Sequence, residues 1–249
     1  MRRFELSDEQ WQQVEGLLPG QPGSPGRSGD NNRLFLEAVL WIVRTGAPWR
    51  DLPERFGDWN SVFQRFNRWA KKGVWQQVFR GTPRPRSGVA DARRHHCSSS
   101  RSCGGRSKKS GDQQLGRSRG GFGTKIHAAC DGLGNPVKFL LTPGQTHDIT
   151  QAAPLLEGLV AEQVLADKGD DGDKVLQLIH DQGGQAVIPP KRNRKVQRPY
   201  DQQQSRERNH IERLFARLKQ CRRLATRYDK TARNFLAFLH LAATMILLA

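Results

Sequence analysis

The best-placed chemical groups in this chain are an acid flanked by two cations along one helix stripe and a second acid closing an apolar strand. In the segment RERNHIERLFARLKQ, Arg208, Glu212 and Lys219 are spaced four and seven residues apart, with Ser205 three residues before Arg208. At about 100° per residue, those three fall within roughly 40° of one another on a helix. Ile211, Leu214, Phe215 and Leu218 fall on an adjoining face that can dock the stripe onto a sheet. Alone, an Arg–Glu pair at i, i+4 is ordinary exposed helix decoration. Asp167 gives the stripe a second meaning. It closes the short apolar run QVLAD and is followed by Lys168-Gly169, and ligands of α/β sheets gather at strand ends. Two carboxylates so arranged offer oxygen ligands to Mg2+ (or Mn2+). Divalent ions activate water and stabilise a leaving oxygen in phosphodiester cleavage.

The elements that must position these groups follow from periodicity. Residues 1–79 predict a small all-α domain. Ser7 caps a first helix, LFLEAVLWIVRTG forms a second that stops at Gly46, and SVFQRFNRWAKKGVWQQVF forms a third helical region broken near Gly73. In the third region Val62, Phe63, Phe66 and Trp69 share a face, with Gln64, Arg65, Arg68, Lys71 and Lys72 largely on the other. A short helix, a turn and a basic helix resemble a helix-turn-helix DNA reader, with Arg65 and Arg68 as candidate DNA contacts. A solvated basic face on a small bundle is the plain alternative. Residues 116–249 predict an α/β domain with a mixed sheet: a hairpin around Asp131–Pro136, then strands alternating with helices. The C-terminal run FLAFLHLAATMILLA is too short for a comfortable membrane span and predicts a buried helix.

The chain of 249 residues carries a formal charge of +17, which favours a polyanionic partner. Four cysteines at irregular spacing make no disulfide framework, and the N-terminus has no apolar core of the signal-peptide kind, so a reducing cytosol is expected.

Residues 80–115 do not fit either domain. From Arg80 to Lys109 there are seven Arg and two Lys against one Asp, Asp91. That net +8 leaves +9 for the rest of the chain, still enough to favour DNA. The stretch is rich in Arg, Ser, Gly and Pro and predicts an irregular segment. His95, His96, Cys97 and Cys103 have zinc-binding atoms but not zinc-site spacing.

With these residues in view, the chain resembles a bacterial insertion-sequence transposase of the DDE type, in the group related to insertion sequences four and five. The matching text is LSDEQWQQVEGLLP, FLEAVLWIVRTGAPWRDLPERFGDWNSVFQRFNRWAKKGVW, LGRSRGGFGTKIHAACDGLGNP, VLADKG and RERNHIERLFARLK. It covers nearly everything except residues 80 to 107. The resemblance implies an RNase H-like catalytic domain behind the helical domain. It implies Asp167 and Glu212 as metal ligands, with Arg208 and Lys219 contacting phosphates or orienting the glutamate. His147-Asp148 stands where the family often carries a His-Asp pair. Implied partners are double-stranded DNA, as terminal inverted repeats and target, and a second copy of the chain. The implied setting is the bacterial cytoplasm, on the nucleoid. Ser205 and Asp170 stand where the family has tyrosines.

The resemblance also requires a first catalytic aspartate on an apolar strand before GRSRGG. Asp91 is the nearest acid, with a poor match around it. Codons compatible with Arg80–Ser100, read one base later, can encode EALQDPDLEWLMLDATIVRAH, text of the family kind. This points to compensating frameshifts after Phe79 and near Ser107, with the family aspartate in the codon overlapping Arg93 and catalysis impaired. The leading function is a DNA transposase. The competing one is a DNA-binding protein without catalysis that occupies transposon ends. A metal-dependent nuclease unrelated to mobile DNA is disfavoured by the N-terminal match.

Overall fold

The computed structural model describes residues 5–21, 23, 31–84, 89–98 (as backbone), 113–118, 121–194, 197–198, 200–201 and 209–249. Among them the helices in chain order are α1 (Asp8–Val14), α2 (Asn32–Thr45), α3 (Trp59–Lys71), α4 (Val74–Gly81), α5 (Ala152–Leu156), α6 (Asp173–Asp181), α7 (Asn209–Lys219), α8 (Arg222–Ala225) and α9 (Ala232–Leu247). The strands are β1 (Val89–Ser98), β2 (Gly116–Ser118), β3 (Gly121–Asp131), β4 (Pro136–Pro143), β5 (Gln163–Leu165) and β6 (Gln185–Val187). They form two compact units, one of Met1–Arg84, Ser99–Gln113 and Leu218–Ala249, the other of Pro85–Ser98 and Gln114–Arg217.

In the helical unit, local chemistry sets the helix ends. The Ser7 hydroxyl accepts the Gln10 amide while the Gln10 side chain accepts the Ser7 amide, so two orphan donors of α1 are satisfied reciprocally. Gly46 ends α2 at φ 71, a left-handed conformation that a Cβ would penalise. Asp58 caps α3 by accepting the Ser61 amide at 2.8 Å. Between α2 and α3 the chain runs through two 3-10 turns, Trp49–Asp51 and Glu54–Phe56, each introduced by a proline. The connection is therefore longer than the three- or four-residue turn of an ordinary helix-turn-helix. The tight turn falls instead at Lys72-Gly73, between α3 and α4.

The core of this unit is aromatic. Phe66 stacks on Phe238 with centroids 4.3 Å apart and packs against Trp75 at 5.5 Å, while Phe35 meets Trp69 edge-on at 4.9 Å. Phe238 lies on α9, so the final apolar run is the buried helix expected, although it belongs with the N-terminal helices rather than with the sheet. No helix among the described residues is long and apolar enough to cross a membrane. Arg227 is fully buried and donates to the carbonyls of Asp229 and Gln113, both at 2.9 Å.

The sheet unit departs from expectation in its centre. Where an irregular segment was expected within residues 80–115, the structure holds β1. It pairs antiparallel with β3 from Ala90↔Asp131 to Ser98↔Gly123, and parallel with β5 from Val89↔Gln163 to Asp91↔Leu165. The strand order is β2-β3-β1-β5-β6, with β4 also on β3. The physical reason is that ladder hydrogen bonds are made by the backbone, whatever the side chains. Strand propensity is a weak, context-dependent preference, and the facing edges of β3 and β5 would both be left unpaired without a strand between them. Behind the sheet, Ala129, Leu155, Leu156, Val164, Val175, Ile179 and Ile188 form a buried cluster with α5 and α6.

One buried group makes the fold sensitive to acid. His240 is buried on α9, stacked on Phe79 with centroids 5.3 Å apart. Burial, helped by the Arg80 charge, lowers its pKa to about 4. The unfolded chain accepts this proton near pH 6.5 and the fold resists it until about 4. Its neutral form therefore contributes full stability above about pH 6.5, and about 3 kcal/mol is lost as pH falls through that window. Urea titrations at several pH values should show this slope in the wild type and lose it in His240→Gln.

Candidate functional site

Asp167 lies two residues beyond the end of β5 and caps a 3-10 turn, Lys168–Asp170, accepting the Lys168 amide at 2.8 Å. Its side chain is exposed. The apolar residues before it, Val164, Leu165 and Ala166, are buried and fix the strand in the sheet. The acid thus stands at a strand end, as its sequence position predicts.

On the neighbouring strand, Asp91 pairs in register with Leu165. The ladder ends at that pair, and beyond Leu165 the chain leaves the strand for the turn that Asp167 caps. Asp91 thus stands on β1 opposite the last residue of β5, two residues before Asp167, and Arg93 lies two residues further along β1. His95, His96 and Cys97 occupy consecutive positions of β1, and strand positions alternate between the faces of a sheet.

Glu212 is exposed on α7, whose Ile211, Leu214, Phe215 and Leu218 are buried as the periodicity predicts. Lys219 ends the same helix and is also exposed. Arg208 and Ser205 lie outside the described residues, as does Cys103. Near the start of α7, His210 packs against Gly134 of the β3–β4 turn, where an added Cβ would lie 3.5 Å from the His210 Cβ. Asp131 organises that turn, accepting the amides of Leu133 and Asn135 at 3.0 and 2.9 Å. Of the His147-Asp148 pair, His147 is exposed and Asp148 is tied to Lys125 at 3.0 Å.

Exposed carboxylates are suitable donors for a hard divalent ion, and Asp167 and Glu212 meet that requirement singly. No group of three or more His, Cys, Asp or Glu able to hold a metal ion occurs among the described residues. The donor set is right in kind and short in number.

Two features at this end of the sheet escape a reading by motif. Asp170 is buried and lines a small cavity with Ala152, Leu155, Leu156, Val164, Ala166 and Val175. A carboxylate against such apolar walls is an uncommon placement. Asp171 is the other: its side chain is fully buried, and it receives Arg194 at 2.8 Å, Arg198 at 2.6 Å and the Lys191 amide at 2.8 Å. Burial of the Asp171 carboxyl works against ionisation. The Lys191 amide and the Arg194 and Arg198 charges outweigh it and hold the pKa below the usual value. The cation-rich text KRNRKVQR was the available signal, but nothing in it names Asp171 as its anchor.

In the helical unit the two arginines expected to contact DNA differ. Arg65 is half-buried, its guanidinium 4.3 Å from the Phe35 ring centre and 4.9 Å from that of Trp69, with a hydrogen bond to Asn32. Arg68 is exposed, on a face shared with the exposed Gln64, Lys71 and Lys72.

The family described as "Transposase DDE domain" matches residues 84–248, and that described as "Putative transposase of IS4/5 family" matches residues 6–79. The chain belongs to the DDE transposase family. A Brucella ovis relative, "Putative transposase for insertion sequence element IS6501", is 38% identical over 125 residues, 49% of this chain and 96% of the relative. The protein y4sN of Sinorhizobium fredii is 48% identical over 75 residues, 29% of this chain. The chain spans only 58% of that relative's length. A Burkholderia cepacia relative, "Putative transposase for insertion sequence element IS402", is 28% identical over 150 residues, 55% of this chain and 68% of the relative. The structure of a piggyBac transposase synaptic complex with hairpin DNA shares 12% identity at a TM-score of 0.40, over 77% of this chain and 50% of that one, too loose a likeness to fix the fold. The two family matches meet between Phe79 and Arg84, where the helices give way to β1.

The contrast between the two arginines is measurable in this DDE-family chain. Arg65→Ala should lower stability by about 1 kcal/mol through lost cation–π packing. Arg68→Ala should leave stability within about 0.5 kcal/mol of the wild type while weakening DNA binding. Chemical denaturation and fluorescence anisotropy on the same preparations separate the two effects.

Proposed function

We propose that this chain binds insertion-sequence ends and cuts and joins DNA strands there, with cleavage weakened by the residue at position 93. The observation that carries the reading is the β1–β5 ladder, which ends at Asp91↔Leu165, two residues before the exposed strand-end acid Asp167, with Arg93 two residues beyond Asp91 on β1. The sheet order, antiparallel on one side of β1 and parallel on the other, supports an RNase H-like unit. The exposed basic face of α3 supports the helical unit as the part that holds DNA.

Asp167 and Glu212 are the residues that would hold Mg2+ or Mn2+, and Arg208 and Lys219 the cations that neutralise neighbouring phosphates. A bound divalent ion supplies water activation and stabilisation of the leaving oxygen. The chain's own contribution is to hold the Asp167 carboxylate at the mouth of a rigid strand, with its orientation set by the Lys168 amide. A fixed positive charge at position 93 competes with a metal ion for that carboxylate. This favours the second reading as well: end-binding with little or no cleavage. Homodimerisation, so that two ends are held together, belongs to the same proposal.

A cleavage assay on duplex DNA carrying the element's terminal repeat, with Mg2+ or Mn2+, tests this. The wild type should bind and cut weakly or not at all. Arg93→Asp should raise cutting by on the order of tenfold or more, and Asp167→Asn in that background should abolish it. No gain from Arg93→Asp would sink the register argument, and absence of DNA binding would sink both readings.

A further inference from the structure

We infer that the turn after β6, residues 191–194, is a DNA-backbone clamp, shaped from within by Asp171 and presenting Lys191 and Arg192 to phosphates. The inference rests on the reading of this chain as a DNA-acting protein and assigns it a contact surface outside the acidic residues.

The segment KRNRKVQR holds five cations and no acid. Such a loop would ordinarily be splayed by self-repulsion. Here Lys191, Arg194 and Arg198 gather around one carboxylate. Asp171 Oδ1 accepts both Arg194 and Arg198, and Oδ2 accepts the Lys191 amide. Arg194 also reaches Asp173. The Arg194 amide donates to the Lys191 carbonyl at 3.0 Å, and the Gln197 side-chain amide donates to the carbonyls of Lys191 and Arg194 at 3.1 and 3.0 Å. Two of the five cations are therefore spent internally, turned toward a fully buried anion. Arg192 and Asn193 are left exposed at the turn, with Lys191 half-exposed beside them.

Position gives the surplus charge its use. β5 and β6 are parallel neighbours, so their carboxyl ends open on the same edge of the sheet. Asp167 follows β5 at that edge, and Ile188-Pro189-Pro190 leads from β6 into the loop. Asp171, four residues after Asp167, links the two strand ends directly. A duplex whose strand approaches Asp167 brings a dense row of negative charge past this edge, and exposed cations on a preorganised turn meet phosphates without the entropic cost of ordering a free loop. Asp171 is a positioning residue in this scheme, since it is buried and cannot meet DNA itself.

The test uses the full chain and a fluorescein-labelled duplex, with Kd measured by anisotropy between about 50 and 200 mM NaCl. The double variant Lys191→Gln, Arg192→Gln should weaken binding by about tenfold at the lower salt and reduce the slope of log Kd against log [NaCl] by about 1 to 2. Lys174→Gln, an exposed cation on α6, should change neither. Asp171→Asn should weaken binding with Lys191 and Arg192 intact and raise amide exchange across residues 191–194. Should that variant fail to fold, Arg192→Glu takes its place and should weaken binding further than the double glutamine variant. A wild-type slope in the double variant, or an equal loss in Lys174→Gln, overturns the clamp while leaving the DNA reading standing. A wild type with no salt-dependent DNA binding overturns both.

Discussion

The sheet depends on a strand that must be paired along both edges. β1 lies between an eleven-residue antiparallel neighbour and a short parallel one, and every other element of that unit takes its position from this double seam. β3 brings the hairpin that meets α7, and β5 carries Asp167 and leads to the buried Asp170 and Asp171. Backbone pairing is indifferent to side-chain identity. Ten residues that are poor strand formers by composition can therefore preserve the geometry of a site while altering its chemistry. That separation explains how a strand as rich in arginine and histidine as β1 can still occupy the middle of the sheet.

Much of the helical unit was legible in the sequence because its signals are local. Ser7, Gly46 and Gly73 mark helix ends by hydrogen bonding or by left-handed backbone, and the spacing of Val62, Phe66 and Trp69 marks the buried face of α3. The hairpin at Asp131–Pro136 was legible for the same reason, through a carboxylate that accepts its own turn amides. Asp167 and Glu212 stood out because strand-end and helix-stripe positions have recognisable neighbours.

What was not legible is non-local. Composition argued against a strand at Val89–Ser98, and only the edges waiting on either side of it reverse that argument. Arg65 looked like a surface cation by its place on the helical wheel, yet its guanidinium lies over Phe35 and Trp69, contributed partly by another helix. Asp171 lies some twenty residues before the cations it gathers, and no spacing rule links them. What the last helix packs against was not legible for the same reason: its apolar residues predict burial without naming a partner.

That last helix has a consequence for synthesis. Phe238 stacks on Phe66 and on Trp49, so the aromatic core that the first helices begin is completed only by residues made much later along the chain. Until then the first helices carry an open apolar face, and their folding cannot be vectorial. A chain that stops before Phe238 would leave Phe66 and Trp49 without this stacking partner.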